Sequence, residues 1–466
     1  MQLKAERVCV IAEEAKKATF ASAAELEAKA RERAEHRYET PVAEARQSSW
    51  KRERNEDDDP NTKDWRAQAT ALPVQRLVAR FLYISPTICI ENEIIYARLL
   101  PRIKETRVLP PLEHLDPARF DAPAILKRLV GAHRGLAELK GVAASMPNQG
   151  ILISALGLQE AKDSSEIENI VTTHDELFRE AALSEAAASA AAKEVARYRQ
   201  ALGVGYAAVR NSGLLTTNHI LTVQAELEQN RAGLRKLPGT VLKDGTGLIV
   251  YTPPAPDTLP GLMADLDRFI NDPAVFAADP LVKMALIHHQ FESIHPFYDG
   301  NGRTGRIVNV LYLVKEGLLD TPVLYLSRAI VRSKNEYYRL LQEARDRDTW
   351  EDWVLYMLGA VERTAIDAIA TIQAIKALLL DYKHRIRAAH RFYSQDLINN
   401  LFSHPYTKIE FVQQDLQVSR LTATRYLDLL AADGFVRKHK VGRHSYYINE
   451  PLFRILTGEA PPAAGE

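Results

Sequence analysis

Residues 295–306 read HPFYDGNGRTGR and bring an imidazole, a carboxylate, three glycines, an asparagine and two guanidiniums together. The glycines of Asp299-Gly300-Asn301-Gly302-Arg303 let a backbone approach a ligand closely and turn its N–H groups toward it. A helix is expected directly after this loop. Its first amides then sit at a positive helix end, which favours an anion. Arg303 and Arg306 are three residues apart and share one helical face. Two guanidiniums beside an amide nest suit a polyphosphate. Asp299 offers oxygen ligands to the magnesium that accompanies a nucleotide phosphate. His295 is placed to take a proton from an incoming hydroxyl. Phe297 is expected to face inward and anchor the loop. His-Pro-Phe alone is common and Asp-Gly-Asn-Gly alone is a turn signature, so the full ordered set carries the reading.

The elements around this loop are mostly helical in pattern. Apolar residues recur at three- and four-residue steps from Ala124, and again from Ile151 to Ile170 after a break at 146–150. Further Ala- and Leu-rich helices follow to about Asn230. Residues 238–254 differ: Lys-Asp-Gly-Thr-Gly between two short β-prone runs signals a hairpin. The helix over 280–294 runs straight into His295, and the one over 306–319 is apolar enough to be buried. Near the start of this region, Val108-Leu109-Pro110-Pro111-Leu112 reads as an extended strap, because residues before proline are driven to β or polyproline geometry. From about 381 the order helix, tight turn, helix, two short strands predicts a winged helix-turn-helix module. Ser419 is its expected N-cap. Arg420, Arg425 and Lys438 are candidate phosphate contacts for DNA, with protein docking or dimerisation as the alternative.

The chain has 466 residues, a formal net charge of +0 and two cysteines, Cys9 and Cys89. Its length favours two or three domains. Zero net charge argues against a globally basic nucleic-acid coat. Two distant cysteines exclude a disulfide framework or a cysteine zinc cage and fit a reducing compartment. No apolar run reaches membrane-spanning length, and the first residues are too charged for a signal peptide. A cytoplasmic protein with no membrane contact is expected. The expected organisation is a charged helical or disordered extension over 1–65, a helical region over 66–230, a catalytic core over 231–380 and the winged helix over 381–460. The fold class expected is mainly α, a helical core with a β-hairpin flap, followed by a small α+β module.

The dodecamer matches at every position the motif H-P-F-x-[D/E]-G-N-G-R-x-x-R, and the chain resembles the Fic family over roughly residues 70 to 455. The strap, the AHRGLAELKG helix, the hairpin, LSRAIVRSKNEYYRLLQ and the C-terminal winged helix share in the resemblance. It implies adenylylation: transfer of AMP from ATP, with magnesium, to a Ser, Thr or Tyr hydroxyl of a protein. On that resemblance His295 is the general base and Asp299 holds the metal. Gly300, Asn301 and Gly302 cradle the phosphates, Arg303 and Arg306 neutralise them, and Thr304 and Gly305 complete the ATP loop. Gly302 favours AMP transfer, since a kinase-like branch carries lysine there. The hairpin resembles the flap, with Leu248, Ile249, Val250 and Tyr251 bordering the ATP site and pairing with an extended target peptide. Tyr337 and Tyr338 resemble the tyrosines that line the adenine pocket. Adjacent aromatics on a helix diverge, so one at most is expected to stack. Asn309 and His289 read as structural.

Ser164, Glu168 and Asn169 resemble the family's inhibitory motif [S/T]-x-x-x-E-[G/N]. The resemblance implies that Glu168 pairs with Arg306 and competes with the γ-phosphate of ATP. Two readings stand beside a braked AMP transferase. One is the reverse enzyme, in which Glu168 activates water to remove AMP. The other is a nucleotide-sensing, DNA-binding transcription regulator, which has no need of His295. Self-modification and a homodimer complete the expected partners.

Overall fold

The computed structural model describes residues 109–182, 190–243, 245–441 and 444–458. The extension expected over 1–65, the first part of the helical region that follows it, Val108 of the strap and both cysteines lie outside the described residues. Pro111 of the strap is extended, at φ −57° and ψ 142°, and the Gln290 amide donates to the Pro110 carbonyl at 3.0 Å. Short 3-10 turns at Leu112–His114 and Pro117–Asp121 lead into helix α1, Pro123–Ala144. Proline opens α1 without loss, because the first helical N–H has no partner in any case.

Helix α2 is Gly150–Ile167, α3 His174–Ala182, α4 Ala190–Ser212 and α5 Thr217–Glu228. Strands β1, Leu242–Lys243, and β2, Ile249–Tyr251, form the expected antiparallel hairpin. Helices α6, Leu259–Asn271, α7, Pro280–Ile294, and α8, Asn301–Lys315, follow. Every residue of α7 from Leu281 to Ile294 is buried. A helix covered on all sides belongs at the centre of a core, and α7 packs against α6, α8 and the long helix described next. After α9, Ser327–Arg332, and α10, Lys334–Arg347, helix α11 runs unbroken from Trp350 to Ala389, through the domain boundary expected at 380. Its buried stripe lies along α1, whose Ile125, Leu129, Ala132, Leu136 and Leu139 recur at helical spacing.

The C-terminal module consists of α12 (Gln395–Ser403), β3 (Tyr406–Lys408), α13 (Ile409–Leu416), α14 (Arg420–Ala432), β4 (Arg437–Val441), β5 (His444–Ile448) and α15 (Glu450–Thr457). Its sheet has the order β3-β5-β4, antiparallel throughout. This is the expected winged-helix-like arrangement. The Ser419 hydroxyl caps α14 by accepting the Thr422 N–H at 3.2 Å. The fold is therefore mainly helical, with a hairpin in the core and a small α+β end. Among the described residues no helix is long and apolar enough to cross a membrane.

Candidate active site

The loop between α7 and α8 is set by its own side chains. His295 ends α7 in the left-handed region, at φ 48°, a conformation uncommon outside glycine. Arg235 holds it there. Its Nε donates to the His295 carbonyl at 2.9 Å, its backbone N–H donates to the Pro296 carbonyl at 2.9 Å, and its guanidinium also reaches the Pro254 carbonyl at the end of the hairpin. Asn301 closes the turn: its Oδ1 accepts the Phe297 N–H at 2.8 Å and its Nδ2 donates to the Phe297 carbonyl at 2.9 Å. Phe297 is fully buried, as expected. The Asn301 side chain is thus spent on the loop.

Gly300, at φ +75°, is the N-cap of α8, and no side chain caps this helix end. The open amides and the helix dipole make it an anion site. What stands there is Glu168. Arg306 Nη2 donates to Glu168 Oε1 at 2.9 Å and to the Ser164 carbonyl at 2.8 Å, and Arg306 Nε donates to the Ser164 hydroxyl at 2.8 Å. The Glu168 carboxylate also fills the space that a Cβ on residue 302 would take. Gly302 is therefore needed for close approach to the nest. Asn169, left-handed at φ 63°, accepts a hydrogen bond from Lys334 Nζ at 3.0 Å. Burial works against the Arg306 charge, but Glu168, Tyr337, Tyr198 and Glu292 together hold its pKa above the ordinary value.

Arg303 and Arg306, expected to share one helical face, take different partners in the structure. Both are buried. Arg303 is enclosed by Glu194 of α4 and Glu228 of α5, the latter at 2.9 Å, with Asp299 at 3.8 Å. A buried guanidinium needs such carboxylates to offset its lost hydration, so Arg303 arrives already neutralised. Thr304 and Gly305 follow within the same helix. Thr304 is fully buried, and a Cβ at Gly305 would meet the Glu292 carboxylate, so both pack between α7 and α8. Of the two tyrosines, Tyr337 is interior, with its hydroxyl 2.9 Å from His288 Nε2 and its ring against Trp353. Tyr338 is 43% exposed and keeps the open ring. Leu248, Ile249 and Val250 are exposed along the hairpin edge, while Tyr251 is tied inward, its hydroxyl donating to the Ser293 carbonyl at 2.8 Å. His289 and Asn309 hold the Leu341 carbonyl and the His288 ring, the structural roles expected of them.

The half-buried His295 imidazole has its pKa lowered to about 4, by burial first, then by the positive charges of Arg345 and Arg235; Glu168 and the Glu292 backbone oppose the shift. The ring is neutral at pH 7, the state a general base requires. Burial pushes Glu292 up to about 7, against the pull of Arg306. The Asp299 side chain is 79% exposed, and its Oδ1 accepts the Gly300 N–H at 2.7 Å. Among the described residues no three His, Cys, Asp or Glu side chains cluster as a metal cage. A single exposed carboxylate fits magnesium that arrives with its nucleotide, since that ion keeps phosphate and water ligands. Sequence spacing does not single out Arg235, Arg345, Glu194, Glu228 or Glu292. Four of the five are remote from the loop in sequence, and Glu292 reads there as one polar position of an amphipathic helix.

On the C-terminal module, Arg420 donates to Glu410 at 2.6 Å and Lys438 to Asp428 at 2.7 Å, so these cations already hold carboxylates. Arg425 lies over the Tyr426 ring at 5.7 Å.

Comparison with known proteins places these features in a family. Residues 126–207 match the Fic/DOC family N-terminal region, 214–313 the Fic/DOC family itself, and 378–452 the C-terminal domain of SoFic-like protein adenylyltransferases. The protein adenylyltransferase fic-1 of Caenorhabditis briggsae is 30% identical over 159 residues, covering 33% of this chain and 30% of that protein. The protein adenylyltransferase Fic of Aedes aegypti is 28% identical over 178 residues, covering 37% of this chain and 34% of that protein. This chain thus spans about a third of the length of the curated relatives it matches. A Fic family protein of Desulfovibrio desulfuricans G20 is similar in structure with a TM-score of 0.45 at 22% identity, over 73% of this chain and 98% of that one.

Proposed function

The chain belongs to the Fic/DOC family, and from that premise we propose that it is a protein adenylyltransferase held in check by Glu168. The observation that carries the proposal is a neutral imidazole, His295, at the mouth of an uncapped helix end whose anion position is filled by a carboxylate of the same chain. In the forward reaction a Ser, Thr or Tyr hydroxyl of the target gives its proton to His295. Its oxygen forms a bond to the α-phosphorus of ATP, the bond from that phosphorus to the bridging oxygen of the β-phosphate breaks, and pyrophosphate leaves. The backbone of Gly300, Asn301 and Gly302 cradles the phosphates, and Arg306, once released, meets the γ-phosphate. Tyr338 offers its ring to the adenine. The exposed edge of β2 receives the target as an added strand. Magnesium, held through Asp299, would supply charge neutralisation of the phosphates. The rest of catalysis is positioning and preorganised charge.

Glu168 blocks this reaction because two anions compete for one guanidinium and one helix end. A second reading, removal of AMP by water, is favoured by the position of the same side chain: it is 35% exposed, and only its Oε1 is engaged with Arg306. The test is intact mass after incubation with ATP and magnesium. Self-modification of Glu168→Gly that disappears in Glu168→Gly/His295→Ala supports transfer. No AMP on any variant or on co-incubated protein, with ATP still bound, overturns it.

A further inference from the structure

The flap and the base are joined by a side chain that none of the motifs contains. Arg345 lies in the last turn of α10, half-buried. Its guanidinium carbon sits 4.1 Å from the centre of the Tyr251 ring, on β2 of the hairpin. Its Nε donates to the Ser293 hydroxyl at 2.8 Å. Ser293 is fully buried two residues before His295, and its carbonyl accepts the Tyr251 hydroxyl at 2.8 Å. Arg345, Tyr251 and Ser293 therefore close a three-cornered contact between α10, the flap and the end of α7.

We propose that Arg345 is a positioning residue that couples the flap to the base, fixing the strand that would receive a target beside the imidazole that would take its proton. The proposal rests on the transferase reading for its purpose, but the contact itself is independent of that reading. A planar guanidinium is needed here, because it stacks on an aromatic face and donates in its own plane at once. The charge matters as well. After burial, Arg345 is the largest influence keeping His295 deprotonated, followed by Arg235 on the loop before the flap; Glu168 of the inhibitory motif and the Glu292 backbone act the other way. One side chain thus holds the flap and adds its charge to the burial that keeps the base neutral.

The test needs no catalysis. Full-length wild type, Arg345→Met, Arg345→Lys and the exposed control Arg347→Met would be compared by two readouts. The first is an NMR titration of His295, assigned by its loss in His295→Ala. The second is hydrogen exchange of the amides at 249–251. Arg345→Met is expected to raise the His295 midpoint by about one unit, the size of one charge removed at short range, and to speed exchange at least tenfold. Arg345→Lys keeps the charge, so its midpoint stays low while exchange still quickens. Arg347→Met changes neither. A folded Arg345→Met with unmoved midpoint and exchange overturns the proposal. Should that variant not fold, Arg345→Lys decides, and unchanged exchange at 249–251 overturns it. A chain that never transfers AMP yet shows these shifts would reject the transferase reading alone.

Discussion

Glu168 Oε1 accepts a hydrogen bond from Arg306 Nη2 at 2.9 Å while its carboxylate occupies the side-chain space left open by Gly302. One carboxylate therefore pairs with a buried guanidinium and lies beside the first turn of α8. Both are features a polyphosphate would use, and on the proposed function Glu168 is an internal imitation of the substrate.

If that imitation is electrostatic, its strength should grade with charge. Glu168→Gln keeps an acceptor oxygen but removes the negative charge, and Glu168→Gly removes both. Hydrogen bonds to charged groups contribute about 1.5–3 kcal/mol. AMP transfer is thus expected to rise by about tenfold or more in Glu168→Gly, with Glu168→Gln between it and wild type. Initial rates with labelled ATP measure the order. Equal rates in all three proteins would mean that Arg306 is not contested.

Gly302 gives a second handle on the same space. A methyl group there would lie within 2.9 Å of Arg306 Nη1, where the approach of any anion is blocked. In the Glu168→Gly background, Gly302→Ala is expected to weaken ATP binding by about tenfold, the equivalent of ~1.4 kcal/mol. Titration calorimetry reads the loss directly. Unaltered affinity would place the phosphates elsewhere than the α8 amides.

The pH profile of transfer follows from His295. Its pKa is lowered to about 4, so the neutral, proton-accepting form is complete above that point and is lost as pH falls through it. Removing Glu168 takes away an influence that raises it. Rates of Glu168→Gly are therefore expected to be level from about pH 5.5 to 8, within the range where the protein stays folded. A fall with a midpoint near the ordinary histidine value of ~6.5 would show that the imidazole is solvated during turnover.

The candidate catalytic loop is legible in the sequence because its chemistry is local: glycines, a helix start and charged residues lie within twelve positions. The proposed brake is legible because Ser164 and Glu168 stand one turn apart, and both meet Arg306. What the sequence hides is long-range. Arg303 finds Glu194 and Glu228 across 109 and 75 residues, and Arg345 reaches Ser293 across 52. No periodicity encodes such pairings, since each depends on how whole helices pack. The burial of Thr304 and Gly305 is hidden for a related reason. They lie inside the motif, on a helix that is buried on nearly every side, and the motif alone does not show that packing.

Glu292 connects the site to stability. It is buried in the core, and its Oε1 has no hydrogen-bond partner. Burial raises its pKa from the ordinary value to about 7, with Arg306 pulling it down and Glu168 pushing it up. The folded state therefore holds a proton that the unfolded state releases near pH 4.5. The stability associated with that proton is fully present below about pH 4.5 and is lost as pH rises through about 7. Glu292→Gln has the shape of the protonated acid and nothing to ionise. It is expected to melt a few degrees higher than wild type at pH 8, with the difference shrinking toward pH 5. Calorimetric melting at the two pH values checks this. A Tm difference of the same size at both would assign the effect to packing against Gly305 rather than to the proton.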